Sequence, residues 1–298
     1  ILRNMKYVCE GYHTKLLLKA VSNKDAAILV AAGPSLNKNI QMLKKAKNRL
    51  FILAVDTAVK PLIKAGIKPD AFITIDAKKS PDLIKIDGAE TIPVIAPPTA
   101  GYKIMERQKA KKIFYYDGYF LPYSIYFIND KVLPDVSTGG SVACSGFSLL
   151  HKLGYETIIL VGQDLAFTDN KSHADGTFEE KMPVMDTEGM EMVKGNYVDK
   201  IPTRMDLRIF LNWFQEYIHD IKEANPNIRV VNATAGGAYI EGTEGLGFAI
   251  PSDTVESIVQ ALIEDGAVYG RVSIGVTVGP VSKDIAQYYD IPQGLYVS

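Results

Sequence analysis

The stretch Ala26-Ala27-Ile28-Leu29-Val30-Ala31, closed at once by Gly33-Pro34-Ser35 and continued by an amphipathic run from about Asn37 to Ala46, decides the class of fold. A short run that is apolar throughout is buried on both faces, as a strand inside a parallel sheet is, and helical periodicity after a small-residue turn makes a crossover helix. The same unit recurs down the chain. Leu50 to Val55 predicts a second strand, ending at Asp56, and then a helix that stops near Ala65 with Gly66 as its terminator; Pro61 falls in that helix's first turn, where a missing N–H costs little. Ala71 to Ile75 predicts a third strand, ending at Asp76, and Ile92 to Ala96 and Lys112 to Tyr116 predict two more. Thr157 to Val161 is the last, preceded by a helix over about Val142 to Leu153. Strands alternating with helices give an α/β class, a doubly wound, mostly parallel, Rossmann-like sheet.

Composition sets the outer limits. At 298 residues there is room for about two domains. Lys and Arg total 33 against 34 Asp and Glu, a net charge of -1, which excludes a nucleic-acid binder working through a cationic face. No apolar stretch approaches the roughly 18 residues of a membrane span, so neither nucleic acid nor membrane is an expected partner. Two cysteines, Cys9 and Cys144, are too few for a disulfide framework and have no metal-ligand spacing; a reducing compartment is expected. The chain opens Ile1-Leu2-Arg3, as a fragment does, and residues 1–23 read as the end of a preceding region. Past the sheet, Thr168 to Pro202 is polar with weak periodicity. Leu207, Phe210, Leu211, Phe214, Ile218 and Ile221 then mark a strongly amphipathic helix, widened by Trp213 and Tyr217 and read as core packing.

In an open α/β sheet the ligand crevice lies beyond the carboxyl ends of the strands. Those ends are Gly33-Pro34-Ser35, Asp56-Thr57, Asp76 and Gln163-Asp164, and the loop Ser137-Thr138-Gly139-Gly140-Ser141 also runs directly into a helix. A small-residue turn at a helix start offers backbone N–H groups and the positive end of a dipole, which suits a phosphate or carboxylate. The alternative is that Gly33 and Gly139-Gly140 make tight turns and Ser35 caps a helix. Neither loop is a GxGxxG or Walker A sequence, and no Lys stands where those motifs place one, so a triphosphate grip is disfavoured. His173 lies in a polar loop soon after Asp164, where a neutral imidazole is a competent general base or, equally, an exposed loop histidine. His151 and His219 fall on amphipathic helices, as surface or boundary residues.

Ala31-Ala32-Gly33-Pro34-Ser35-Leu36, Ala54-Val55-Asp56-Thr57-Ala58, Gly66-Ile67-Lys68-Pro69-Asp70, Ile75-Asp76, Ser137-Thr138-Gly139-Gly140-Ser141-Val142-Ala143 and Gly162-Gln163-Asp164-Leu165-Ala166 occur in that order. Together they resemble the motility-associated factor (Maf) flagellin glycosyltransferases and the 6-hydroxymethylpterin pyrophosphokinase MptE-like proteins, over residues 1–242. Three of these segments also resemble bacterial sialyltransferases. The resemblance implies transfer of a nonulosonic, sialic-acid-like sugar from a CMP donor to Ser or Thr of flagellin, in the cytoplasm and with no cofactor required. It implies a catalytic domain over 24–242. Gly33, Pro34, Ser35, Asp56, Thr57, Asp76, Thr138, Gly139, Gly140, Ser141 and Gln163 would bind the donor nucleotide, Asp164 would orient the site and His173 would act as base, with no metal. The competing implication is pyrophosphoryl transfer from ATP, with Mg²⁺ held by Asp56, Asp76 or Asp164; a non-catalytic nucleotide-binding module of flagellar assembly is a third.

Residues 243–298 depart from that pattern. Gly245-Leu246-Gly247-Phe248-Ala249-Ile250-Pro251-Ser252-Asp253 resembles the end of an HtrA-type serine protease, and Val272 to Val297 the opening of its PDZ domain. The catalytic histidine, aspartate and serine of such a protease have no counterparts upstream. An incomplete αβ tail without protease activity is expected.

Overall fold

The computed structural model describes residues 2–13, 26–47, 49–115, 136–177 and 186–245, and the strands Val278–Pro280 and Leu295–Val297. The chain divides into two compact units, Ile1–Leu246 and Gly247–Ser298.

The first unit is built on a nine-stranded sheet: β1 (Tyr12–His13), β2 (Ala26–Val30), β3 (Phe51–Val55), β4 (Ala71–Ile73), β5 (Val94–Ala96), β6 (Lys112–Phe114), β7 (Thr157–Val161), β10 (Arg229–Asn232) and β11 (Glu244–Gly245). A separate hairpin, β8 (Glu191–Val193) with β9 (Ile201–Thr203), stands outside it. The sheet order is β1-β6-β5-β4-β3-β2-β7-β10-β11, and all its described pairings are parallel. The α/β, doubly wound reading is therefore the fold. In β2 and β3 four of five residues are buried, because helices cover both faces of a parallel sheet.

The helices are α1 (Met5–Glu10), α2 (Leu36–Ala46), α3 (Val59–Lys64), α4 (Tyr102–Arg107), α5 (Val142–Lys152) and α6 (Met205–Ala224). Gly66 follows α3 with φ 76°, the left-handed terminator that its position predicts. The long stripe on α6 is core: Leu211, Phe214, Ile218 and Ile221 are buried, and Phe214 meets Phe147 of α5 with ring centroids 5.4 Å apart. Trp213 stacks on Tyr217 at 4.8 Å. Half-buried His151 places Nδ1 3.1 Å from the Tyr217 hydroxyl, between α5 and α6, and burial holds its pKa below the usual histidine range. His219 is exposed on α6.

Five strands of the first unit lie where periodicity is too short to read: the edge strands β1 and β11, β10, and the two of the β8–β9 hairpin inside the polar stretch. The hairpin is pinned to the loop after β7 by Phe167 N–H donating to the Pro202 carbonyl (2.9 Å) and Thr203 Oγ1 donating to the Leu165 carbonyl (2.9 Å). In the second unit the described strands, β12 (Val278–Pro280) and β13 (Leu295–Val297), pair antiparallel; the remaining residues behind the protease-like and PDZ-like expectations lie outside the described ones. Among the described residues no helix is long and apolar enough to cross a membrane.

Candidate functional site

From β2 the chain lays β3 to β6 on one side and then returns to place β7 and β10 on the other. The β2–β7 boundary is the switch point of the strand order, the place where open α/β sheets bind their ligands. Gly33-Pro34-Ser35 leaves β2 and Gln163-Asp164 leaves β7 at this boundary, and Asp56-Thr57 leaves β3 one strand away.

Asp164 ties these loops together. It is 3% exposed; Oδ1 accepts from Ser35 Oγ at 2.6 Å, and Oδ2 from Ser35 N–H at 3.2 Å and Thr168 Oγ1 at 2.5 Å. Thr168 Oγ1 in turn accepts from Gly237 N–H at 2.9 Å, and the Asp164 carbonyl accepts from Ala238 N–H at 2.7 Å, so the loop after β10 joins the same network. Burial pushes the Asp164 carboxyl above the ordinary carboxylate range, opposed by the hydrogen bonds from Ser35 and Thr168. Around it Leu165, Asp169 and Asn170 hold positive φ (53°, 54°, 55°), a conformation non-glycine residues adopt at a cost when their surroundings enforce it. The loops pack so closely that a Cβ on Gly33 would overlap Asp164 Oδ1 and stand 2.6 Å from the Gly162 carbonyl oxygen. Gly237, at φ 75°, is equally confined: a Cβ there would stand 2.5 Å from the Asp164 Cα.

This packing corrects two expectations about the first loop. Ser35 is the N-cap residue of α2 but makes no side-chain cap, because its hydroxyl donates to Asp164. Nor do the loop amides face a phosphate: Gly33 N–H donates to the Gly162 carbonyl (2.9 Å), Ser35 N–H to Asp164, and Pro34 has no N–H. The carboxylate of Asp164 is enclosed by protein donors, in a place that orients loops.

The second loop behaves differently. Gly139 and Gly140 both take left-handed φ (49° and 84°), and Ser141 caps α5 by accepting from Cys144 N–H at 3.2 Å. Thr138 closes the turn with its carbonyl, which accepts from Ser141 N–H (3.2 Å). A Cβ at Gly139 would stand 2.6 Å from the Trp213 ring, so the turn rests on α6. The Gly139 and Gly140 amides have no acceptor among the described residues.

Asp56 is fully buried. Its Oδ1 accepts from Thr57 N–H (2.7 Å) and Thr57 Oγ1 (3.1 Å), its Oδ2 from Thr74 Oγ1 (2.7 Å), and Lys79 Nζ stands 3.2 Å from Oδ1. Asp76 is exposed and closes a turn by accepting from Lys78 N–H (2.8 Å). Gln163 is 5% exposed; its N–H donates to Thr234 Oγ1 (3.2 Å), while its Oε1 finds no partner among the described residues. The loop carrying His173 folds onto the first one: Ala174 N–H donates to the Ala32 carbonyl (2.9 Å) and Asp175 N–H to Asn37 Oδ1 (3.1 Å). The backbone on either side of Ala174 is thereby held against the loop after β2, and the imidazole of His173 is partly buried with Nδ1 3.2 Å from Ser172 Oγ.

Thr168, Lys79 and the Thr234–Gly237 turn escaped sequence reasoning. The signal for the last was a short Val230-Val231 pair before small residues, the same grammar as β2 with half its length. No group of three or more His, Cys, Asp or Glu able to hold a metal gathers among the described residues.

A protein-family model described as 6-hydroxymethylpterin diphosphokinase MptE-like matches residues 1–170, more than half of the chain. Two curated relatives, both uncharacterized proteins of Treponema pallidum (strain Nichols), are 37% identical over 59 residues (20% of this chain, 28% of the relative) and 30% identical over 119 residues (36% and 42%). The chain thus spans less than half the length of either. The solved structure of a MAf glycosyltransferase from Magnetospirillum magneticum AMB-1 superposes with a TM-score of 0.59 at 19% identity, over 75% of this chain and 34% of that one.

Proposed function

The chain belongs to the 6-hydroxymethylpterin diphosphokinase MptE-like family, and from that membership and its fold we propose that it is the core of a glycosyltransferase. It moves a nonulosonic, sialic-acid-like sugar from a CMP donor to Ser or Thr of flagellin, in the cytoplasm. The observation that carries this reading is the strand order, which makes the β2–β7 boundary a topological switch point, with the His173 loop hydrogen-bonded to the loop after β2. The fold shared with a MAf glycosyltransferase supports it.

The chemistry suits the residues. A CMP-linked keto-sugar leaves as a phosphate monoester through an oxocarbenium-like state, which asks for one cradled phosphate, a nearby negative charge and a base for the incoming hydroxyl. The Thr138–Ser141 turn before α5 supplies the cradle, exposed Asp76 the rim carboxylate and His173 the base. Asp164 positions the loops without touching the sugar. No metal is needed for a leaving group of this kind.

The second reading, pyrophosphoryl transfer from ATP to a pterin alcohol, is favoured by the family description and by Lys79 at the crevice. Mg²⁺ between phosphates takes one or two carboxylates. Asp56 and Asp164 are enclosed by their own donors, so Asp76 is the carboxylate that would serve. Calorimetric titration of the 298-residue chain separates the readings. Micromolar CMP binding that ignores EDTA supports sugar transfer; Mg²⁺-dependent ATP binding without CMP binding replaces it with the kinase.

A further inference from the structure

We propose that Lys79 is the phosphate-binding cation of the crevice, with Asp56 and Thr57 serving to hold its ammonium rather than to touch the ligand. The inference rests on the reading of the crevice as a nucleotide site.

The first ground is how Asp56 is satisfied. A buried carboxylate needs donors, and Asp56 has three hydrogen bonds from Thr57 and Thr74 before any cation is counted. Lys79 stands at 3.2 Å from Oδ1 and 3.4 Å from Thr57 Oγ1, both longer than the roughly 2.7–2.9 Å of a fully engaged charge-assisted bond. Its ammonium carries three N–H donors and has no further acceptor among the described residues. The side chain is 27% exposed, so the remaining donor has an outlet. Two anchors on one side and an opening on the other describe a cation that is held for a third partner.

The second ground is where the cation lies. In the β2 loop the Gly33 and Ser35 amides are already engaged by Gly162 and Asp164. Helix α5 packs across β2, β3 and β4, since a Cβ on Gly146 would meet Leu29, Leu53 and Ile73. It must return the chain to the start of β7, so its Ser141 end opens at the carboxyl edge, the edge that bears Asp56 and Lys79. The α5 N-terminus and the Lys79 ammonium thus share one edge of the sheet, and each favours an anion. A polar cleft of about 500 Å³ beside β8 and α6 contrasts with this: its Lys194 lies over the Tyr239 ring at 4.1 Å and its Arg208 pairs with Glu191.

The test compares CMP with cytidine on the 298-residue chain and its Lys79→Met, Lys79→Gln and Lys79→Arg variants. Lys79→Met is expected to weaken CMP binding about tenfold while cytidine stays within about twofold, and Lys79→Arg to restore most of the loss. Unchanged CMP affinity, or equal losses for CMP and cytidine in a variant with wild-type thermal unfolding, overturns the proposal. Should Lys79→Met fail to fold, Lys79→Gln carries the same comparison. If the wild type binds neither CMP nor cytidine, the donor reading has failed and inorganic pyrophosphate becomes the probe. A loss of about tenfold in pyrophosphate affinity in Lys79→Met then upholds Lys79; an unchanged affinity, or no anion binding by the wild type, overturns it.

Discussion

Ser35 Oγ donates a 2.6 Å hydrogen bond to Asp164 Oδ1 across 129 residues of sequence, and its backbone N–H donates to the other oxygen of the same carboxylate. One residue thereby fixes the loop after β2 to the loop after β7, the two that flank the switch point. Because the hydroxyl does not cap α2, replacing it acts on Asp164 rather than on the helix. Ser35→Ala should cost about 1–3 kcal/mol at pH 7, the cost of removing a donor from a buried carboxyl group, read from urea denaturation.

The same carboxyl sets a pH dependence. Burial raises its pKa in the folded state above that of the unfolded chain, so the folded form holds the proton more tightly. The stability it contributes is full below about 4 and is lost as pH rises through the raised folded value. Asp164→Asn cannot ionise, so the stability advantage of wild type over this variant should shrink as pH rises through that window. Parallel profiles for the two proteins would count against the burial of a titrating carboxyl here.

Glycine at position 33 is required by contact. Gly33→Ala drives a methyl into Asp164 and the Gly162 carbonyl, and should destabilise by about 3 kcal/mol. Gly66→Ala is the control: its φ is 76° but nothing lies within 4 Å of the added Cβ, so only the left-handed strain of about 1 kcal/mol applies. Equal losses in thermal unfolding would mean that the tight contact at Gly33 relaxes.

The two thiols should separate cleanly. Cys9 is exposed, whereas Cys144 is buried in α5 and its pKa is pushed up to about 12, by burial first and against the hydrogen bonds from Ser141. At pH 8 a thiol reagent should label Cys9 in the native protein and Cys144 only after denaturant is added. Fast labelling of both in the native protein would contradict the packing of α5.

His173 as general base predicts a kinetic pattern. His173→Ala should lower kcat for sugar transfer by about 100-fold with the donor KM unchanged, because the imidazole acts on the acceptor hydroxyl. A rise in donor KM at constant kcat would instead make His173 a donor contact.

The sequence by itself determined the class of fold, the order from β2 through β7, and the buried stripe of α6. Each follows from how a residue and its near neighbours divide between core and water, and that information is local. Its limits were local too: β10 has four residues, and Lys79 sits in a turn with no motif around it. Only the tertiary structure decided which strand ends meet. Gly33-Pro34-Ser35 reads as a phosphate loop until Asp164 and Gly162 take its amides, and Asp56 reads as a ligand carboxylate until Thr57, Thr74 and Lys79 enclose it. Hydrogen bonds join atoms within about 3 Å of one another, and which distant residues come that close is set by the packing of the whole sheet.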